Sequence, residues 1–118
     1  MNKRKIGTDW EGRAADFLEK QGYTVLEKNF RCREGEIDLI AKDGDYLVFV
    51  EVRYRKTAAK GHPFETVNMT KQKKICRVSQ YYLMKNKISP DAPIRYDVVA
   101  VLGERIEIMI NAFEYRSI

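Results

Sequence analysis

Residues 36–53 read EIDLIAKDGDYLVFVEVR and predict a tight β-hairpin. Asp43-Gly44 separates two runs with strand character, and both residue types accept the positive φ that a tight turn requires. The second run, YLVFVEV at 46–52, is rich in β-branched and aromatic residues, which is typical of a central strand. The hairpin is therefore predicted to form the middle of a sheet.

The register of this hairpin decides which side chains share a face. With the Asp-Gly dipeptide at the tip, Glu36 is predicted to lie opposite Glu51, and Asp38 opposite Phe49. Opposed side chains point to the same face, as do side chains two apart on one strand. The three acidic residues therefore share one face with Arg53, and Asp38 and Glu51 are diagonal neighbours. A shift by one residue would separate them.

Outside the hairpin, the periodicity predicts the order α-β-β-β-α-β-β. The remaining elements are a helix over 8–21, a strand over 23–30, a helix over 70–85, and strands over 94–102 and 106–112. This combination indicates a mixed α/β fold with a largely antiparallel sheet. The 118 residues suit a single domain, with residues 1–7 as a mobile tail.

The first helix has recognisable ends. Thr8 and Glu11 have the spacing of a capping box, in which each side chain accepts a hydrogen bond from a free backbone N–H. Gly22 lies where a left-handed C-terminal residue belongs. Between these ends, Trp10 is expected to belong to the apolar face and to lie in the core.

Composition and charge exclude several classes of protein. Hydrophobic residues make up 44% of the chain, which is too many for a disordered protein. No apolar stretch approaches the roughly 20 residues that cross a bilayer, and the basic N-terminus lacks the apolar segment of a signal peptide. Cys32 and Cys76 form no metal-binding or disulfide pattern, so a cytoplasmic protein without membrane association is predicted. The net charge of +5 favours a polyanionic partner.

The acidic face of the hairpin predicts a metal site. Carboxylates this close repel one another unless a cation lies between them, and Mg²⁺ or Mn²⁺ prefers oxygen ligands. Asp38, Glu51 and the backbone carbonyl of Val52 are the candidate ligands. Arg53, two residues after Glu51, is the candidate phosphate contact. The alternative is a solvent-facing edge strand, on which the carboxylates of the first strand form ion pairs with Arg53 or Arg33.

The start of the second helix is basic and predicts a contact with nucleic acid. Its cations are Lys71, Lys73, Lys74 and Arg77. The free backbone N–H groups of a first helical turn also attract anions, and phosphates are the anions of a nucleic acid. The alternative is an ordinary solvated helix face, which is the usual position of a run of charges.

Five stretches resemble the YraN-like family of small bacterial proteins: TDWEGRAADFLEKQGY, GEIDLIAKDG, VFVEVRYRK, TKQKKI and RYDVVAV. They extend over residues 8–101. The order of Asp38 followed by Glu51-Val52-Arg53 also resembles the signature of the restriction-endonuclease-like nuclease superfamily, an acid and then Glu/Asp-x-Lys. The resemblance implies a mixed sheet flanked by helices, as in archaeal Holliday-junction resolvases.

The resemblance also implies roles for individual residues. The implied catalytic residues are Glu11, Asp38, Glu51 and Arg53, and Glu11 joins the metal ligands. Arg53 stands where the superfamily has lysine, and arginine keeps its proton in proteins. The implied function is a metal-dependent endonuclease. The alternatives are a nucleic-acid-binding module that kept the fold without turnover and, third, a protein-interaction domain.

Partners follow from the same resemblance. The residues expected to bind nucleic acid are Arg53, Arg55, Lys56, Lys71, Lys73, Lys74 and Arg77. DNA, including branched DNA, is favoured over RNA as the substrate. A homodimer is expected because two symmetric cuts in a junction need two sites.

Overall fold

The computed structural model describes residues 3–56 and 62–115, with side chains from residue 10 onward except those of 65 and 66. The elements are α1 (Lys3–Lys20), β1 (Thr24–Cys32), β2 (Gly35–Asp43), β3 (Tyr46–Arg55), a 3₁₀ helix (Pro63–Thr66), α2 (Met69–Lys85), β4 (Ile94–Leu102) and β5 (Arg105–Phe113). The strands form one sheet in the order β1-β2-β3-β4-β5, in which only the β3–β4 pair is parallel. The predicted mixed α/β fold and element order are confirmed.

The two helices cover opposite faces of the sheet. On one face, α1 packs Ala14, Ala15 and Leu18 against a cluster of buried strand residues. On the other face, α2 contributes its buried residues, which are Ile75, Cys76, Val78, Ser79, Tyr82 and Leu83. Alternation along β3 serves both clusters, because Val48 and Val50 lie on the α1 face and Phe49 lies on the α2 face.

Helix α1 begins earlier than predicted. It starts at Lys3, so Thr8 lies inside the helix and the predicted capping box is wrong. The residues before Thr8 include Lys and Arg, which favour helix, and they extend α1 by more than a turn. Of the predicted mobile tail, residues 3–7 are therefore helical, while residues 1 and 2 lie outside the described residues. The prediction for Gly22 is confirmed by its φ of +98°.

The turn of the central hairpin also differs from the prediction. Asp43 pairs with Tyr46, so the two turn residues are Gly44 and Asp45. Gly44 occupies the first of these positions with a φ of +59°, which glycine adopts without strain. The paired residues of β2, 39–43, consequently lie opposite partners two positions further along β3 than predicted, and over this stretch a shift by two keeps each side chain on its predicted face. Before residue 39 the alternation of faces is interrupted, because Ile37 packs in the cluster on the α2 face and Leu39 packs in the cluster on the α1 face.

Strands β2 and β3 separate at a point that we call the strand fork. Their last pair joins Leu39 to Val50. Beyond it, β2 pairs only with β1 and β3 pairs only with β4. Asn29 of β1 lies level with the fork and has a φ of +54°, which asparagine tolerates better than most residues. The fork opens a gap in the sheet that side chains can reach from both faces.

The β4–β5 turn holds α1 in place. The guanidinium of Arg13 donates hydrogen bonds of 3.2 Å to the backbone carbonyls of Gly103 and Glu104. The N–H of Gly103 in turn donates a 3.0 Å bond to the carbonyl of Arg55, at the end of β3. Within the described residues, neither helix combines the length and apolar character that a membrane crossing requires.

Candidate metal and nucleic-acid site

A cavity of about 420 Å³ opens at the strand fork. Its walls come from α1, β2, β3 and α2, and the lining residues are Trp10, Glu11, Glu36, Asp38, Glu51, Val52, Arg53, Tyr54, Arg55 and Lys71. All four candidate catalytic residues and all four candidate metal ligands belong to this lining. The fold therefore brings together residues that are up to 61 positions apart, from Trp10 to Lys71.

Three carboxylates form an acidic cluster at the cavity. Glu11, Glu36 and Asp38 each offer an oxygen within 4.8 Å of the other two. This set contains Glu36, which was predicted on the same face but not among the metal ligands. Glu36 was also predicted to lie opposite Glu51, and this is wrong because of the shifted turn. Its carboxylate instead accepts a 2.9 Å hydrogen bond from Arg31, rather than from Arg33 or Arg53.

Asp38 is held by the backbone of the neighbouring strand. Its Oδ2 accepts a 2.8 Å hydrogen bond from the N–H of Val52, across the strand fork. Val52 therefore contributes to the site through its N–H, whereas the prediction assigned it a role through its carbonyl. The bond fixes the carboxylate of Asp38 between the other two acids of the cluster, Glu11 and Glu36, and the next acid, Glu51 on β3.

Glu51 is the most buried acid of the cavity, with 6% of its surface exposed. Burial raises the pKa of its carboxyl to about 9, and the charge and hydrogen bonding of Asp38 contribute to this rise. Lys71 Nζ and Arg53 Nε both lie 4.0 Å from Glu51 Oε1, beyond hydrogen-bond length, and they only partly offset these effects. Glu51 therefore holds a proton at neutral pH unless another cation replaces it.

Glu11 responds to the same surroundings. Burial raises the pKa of its carboxyl, and the charge of Asp38 raises it further, while a hydrogen bond with Asn29 lowers it. Asn29 is the residue of positive φ beside the strand fork. The distorted position in β1 thus helps to orient Glu11, the acid that α1 contributes to the cavity lining.

A second buried acid, Asp97 on β4, provides a contrast. Its two carboxylate oxygens accept four hydrogen bonds, from Tyr23 Oη, from Nε and Nη2 of Arg95, and from the N–H of Asn111, all between 2.8 and 2.9 Å. Asp97 is 1% exposed, so both buried acids are removed from water. Asp97 is fully paired, as structural buried charges are, whereas Glu51 faces another acid.

The predicted nucleic-acid-binding residues fall into two groups. Arg53, Arg55 and Lys71 line the cavity. The others lie outside it: Lys56 is exposed beyond the end of β3, Lys73 and Lys74 are exposed on α2, and Arg77 lines a separate pocket beside Glu34 and Tyr81. The basic start of α2 therefore meets the cavity through Lys71 and continues away from it.

Two aromatic residues of the cavity were missed in the sequence. Trp10 was expected in the core, but it is half-buried and lines the cavity. Its ring stacks on that of Tyr54, with centroids 3.8 Å apart and planes 9° from parallel. The sequence did place both residues next to candidate site residues, because Trp10 directly precedes Glu11 and Tyr54 lies between Arg53 and Arg55.

Comparison with known proteins places the chain in a family. Residues 10–101 match the model of a family described as "Uncharacterised protein family UPF0102". The chain belongs to the UPF0102 family. This confirms the predicted family, the YraN-like proteins, and the matched segment contains every residue that lines the cavity.

Three relatives in the UPF0102 family match over nearly their full length. A UPF0102 protein of Lachnoclostridium phytofermentans is 46% identical over 114 residues, which cover 97% of both chains. One of Clostridioides difficile is 44% identical over 96% of this chain and 100% of its own. One of Thermodesulfovibrio yellowstonii is 42% identical over 96% of this chain and 99% of its own. These relatives share the small size of this chain.

Proposed function

We propose that this UPF0102 protein is a nucleic-acid-binding, metal-dependent endonuclease of the restriction-endonuclease-like superfamily, with its active site at the strand fork. One observation carries the proposal, the contrast between its two buried acids. Asp97 has four hydrogen-bond donors around it, while Glu51 is buried against Asp38 with two cations at 4.0 Å. An unfavourable arrangement of acids is typical of a site that binds a cation or reacts.

The donor set of the cavity fits a hard divalent ion. Its oxygens come from carboxylates, which are the ligands that Mg²⁺ and Mn²⁺ prefer. Asp38 and Glu51 are the residues that would hold such an ion, with Glu11 and Glu36 close enough to Asp38 to assist. When bound, the ion supplies Lewis-acid polarisation of a phosphate oxygen and lowers the pKa of a bound water.

The cations of the cavity are suited to a phosphate group. Arg53 presents a planar guanidinium whose Nε is buried and has no hydrogen-bond partner within the described residues. A guanidinium can hold two phosphate oxygens at once, and it keeps its proton, so Arg53 positions the phosphate rather than accepting a proton from water. Lys71 adds a second positive charge from α2, which offsets the charge of the cluster for an incoming polyanion.

A second candidate function is a nucleic-acid-binding module without turnover. The observation that favours it is Arg53 itself, because the superfamily has lysine at this position and arginine does not serve as a base. This module would keep the cations of the cavity and of α2 and would bind the same phosphates. The two functions differ only in hydrolysis.

Cleavage assays with metal and with EDTA test the proposal. Single-stranded, duplex and branched DNA and single-stranded RNA are incubated with the protein in Mg²⁺, Mn²⁺ or EDTA. We expect cleavage with metal only, its loss in Glu51→Gln, and unchanged cleavage in the control Asp91→Asn, an exposed acid of the α2–β4 loop. Binding without cleavage on every substrate would favour the second function, and no binding at all would overturn both.

Three further expectations belong to this proposal. DNA as the preferred nucleic acid and a homodimer both follow from the resemblance to junction-cutting enzymes. The cytoplasmic location remains a prediction from the cysteine pattern and the composition. Light scattering on the protein with and without branched DNA measures whether two copies assemble on one substrate.

A further inference from the structure

The Trp10–Tyr54 stack stands directly beside the acids of the cavity. Trp10 is adjacent to Glu11 on α1, and Tyr54 lies three residues after Glu51 on β3. The rings are nearly parallel, with centroids 3.8 Å apart, and both residues are half-buried. Part of this aromatic pair therefore faces the same space as the carboxylates.

Among the described residues, the core cluster beneath α1 does not include Trp10. Ala14, Ala15 and Leu18 already bury the helix against the sheet, and Arg13 attaches it to the β4–β5 turn. Tyr54 packs against the same core cluster, and both residues of the pair line the cavity. Large aromatic rings that remain half-exposed beside a charged cavity are surfaces on which a flat ligand can stack.

The chemistry of the cavity selects a ligand with three properties. The acidic cluster requires a cation or a proton, the cations Arg53, Arg55 and Lys71 require an anion, and the aromatic pair offers a surface for a planar ring. A nucleotide unit of a nucleic-acid strand carries both the anion and the ring. Its base can stack only when it is unpaired and unstacked from its neighbours, since the bases of a continuous duplex are already stacked on both sides.

We propose that Trp10 and Tyr54 form a subsite for an unpaired base, so that the protein prefers single-stranded or junction-flanking nucleotides to continuous duplex. The inference rests on the proposed function, because it takes the ligand of the cavity to be a nucleic acid. It adds the substrate class, which the acids and cations alone do not specify. Stacking on an aromatic side chain contributes to affinity for any base, so the preference is for strand state and not for sequence.

Trp10 provides its own measurement because it is the single tryptophan of the chain. The full-length protein is titrated in EDTA, where metal-dependent cleavage cannot occur, with an oligothymidylate and separately with a blunt duplex of equal length. We expect saturable quenching of tryptophan emission by the single strand, and little change with the duplex at concentrations at which anisotropy shows it bound. Quenching by both forms alike, or by neither although both bind, would overturn the subsite.

Two substitutions separate stacking from simple packing. Trp10→Leu keeps an apolar side chain but removes the aromatic face, and Trp10→Phe keeps a smaller aromatic face. In anisotropy assays with labelled DNA, we expect Trp10→Leu to lose about tenfold in single-strand affinity. Trp10→Phe should lose clearly less, and duplex affinity should be unchanged in both. Equal single-strand affinity in the two variants would overturn the proposal. Should Trp10→Leu fail to fold, the titration of the wild-type protein decides.

The outcomes also separate this inference from the proposed function. Loss of single-strand preference with intact metal-dependent cleavage overturns the base subsite and leaves the nuclease. A single-strand preference that depends on Trp10, without cleavage on any substrate, supports the subsite and overturns the nuclease. Absence of binding to single strand and duplex alike overturns both.

Discussion

Asp38 accepts a 2.8 Å hydrogen bond from the N–H of Val52, just beyond the last β2–β3 pair, which joins Leu39 to Val50. The side chain thus supplies the acceptor that a backbone carbonyl provides within a ladder. The same bond places the carboxylate against Glu51. Asp38 therefore both completes the hydrogen bonding at the end of the β2–β3 pairing and belongs to the acidic site. Asp38→Asn keeps the shape of this side chain and removes its charge.

The first prediction concerns metal binding. Mg²⁺ or Mn²⁺ should raise the thermal stability of the wild-type protein, since a ligand that binds only the folded state stabilises it by about 2.7 kcal/mol at 100 times its Kd. Asp38→Asn and Glu51→Gln each remove a ligand charge, so their gain should be much smaller. Asp16→Asn, an exposed acid of α1, is the matched control. Equal gains in all four proteins would exclude a metal site at the strand fork.

The second prediction concerns pH. Glu51 ionises near 4.5 when unfolded, and burial beside Asp38 raises the pKa of the folded carboxyl to about 9. Between these values the folded state holds a proton that the unfolded state releases, so stability without metal falls as pH rises. The fall is at most about 1.4 kcal/mol per pH unit, and it ends above pH 9 because both states are then ionised.

Variants test the origin of this slope. Unfolding by urea in EDTA at several pH values should show a smaller slope in Glu51→Gln than in the wild-type protein. Asp38→Asn should reduce the slope too, since it removes a charge that raises the pKa of Glu51. Added Mg²⁺ should flatten the wild-type curve by replacing the proton. Parallel curves for wild type and Glu51→Gln would contradict the assignment.

The third prediction concerns the arginine of the signature. Arg53→Lys keeps the charge but loses the planar fork, so phosphate positioning and cleavage should fall, by roughly tenfold for each 1.4 kcal/mol of lost transition-state stabilisation. Arg33→Lys, an exposed residue of the β1–β2 turn, should leave the rate unchanged. A faster Arg53→Lys enzyme would indicate instead that arginine had weakened an ancestral lysine site.

The fourth prediction concerns the basic surface of α2. Charge reversal at Lys73 and Lys74 should weaken DNA binding for all sequences alike, because both lysines are exposed where they can follow the phosphate backbone. The slope of log affinity against log salt should become shallower by roughly 0.9 for each duplex phosphate that the variant no longer neutralises. Charge reversal at Lys20 of α1 and Lys42 of β2, both of which are exposed, is the control. Equal effects of the two pairs would leave α2 as an ordinary solvated face.

The fifth prediction concerns stability away from the cavity. Asp97→Asn removes the charge that Arg95 and Tyr23 surround, and leaves Asp43 as the acid that pairs with Arg95. Breaking a buried ion pair in this way should cost about 3 kcal/mol in the free energy of unfolding. Urea unfolding measures the loss, with the exposed Asp91→Asn as control. A change below about 1 kcal/mol would show that the network contributes little.

Asp38 and Glu51 lie together as predicted, but the alternation of side chains along a strand is not the reason, because it is interrupted at Asp38, between Ile37 in the cluster on the α2 face and Leu39 in the cluster on the α1 face. The turn lies one residue further along than predicted, which changes the partner by two and leaves the face unchanged for the paired residues 39–43. Asp38 and Glu51 meet instead at the strand fork, where Asp38 accepts the hydrogen bond of the Val52 N–H. Glu36 was predicted opposite Glu51, and it lies with Glu11 and Asp38.

The strand fork and the position of Trp10 depend on distant residues, so local pattern could not predict them. The fork lies level with Asn29 of β1, which has a left-handed conformation, and with Glu51 of β3, which pairs with Val98 of β4. Trp10 lies at the cavity because Tyr54, far along the chain, provides a parallel ring. Periodicity describes a helix face but does not say which part of that face extends past the sheet.

The hydrogen bonds from Arg13 to the β4–β5 turn affect the order in which the site is completed. One of them joins a residue of the first helix to Gly103, 90 positions later. On a translating ribosome, the helix that carries Glu11 emerges long before the turn that holds it in place. Contacts between such distant segments form late. Under the proposed function, a partly made chain surrounded by messenger and ribosomal RNA would carry the acids of a nuclease without their final arrangement, and hydrolysis would begin only after Gly103 and Glu104 have left the ribosome.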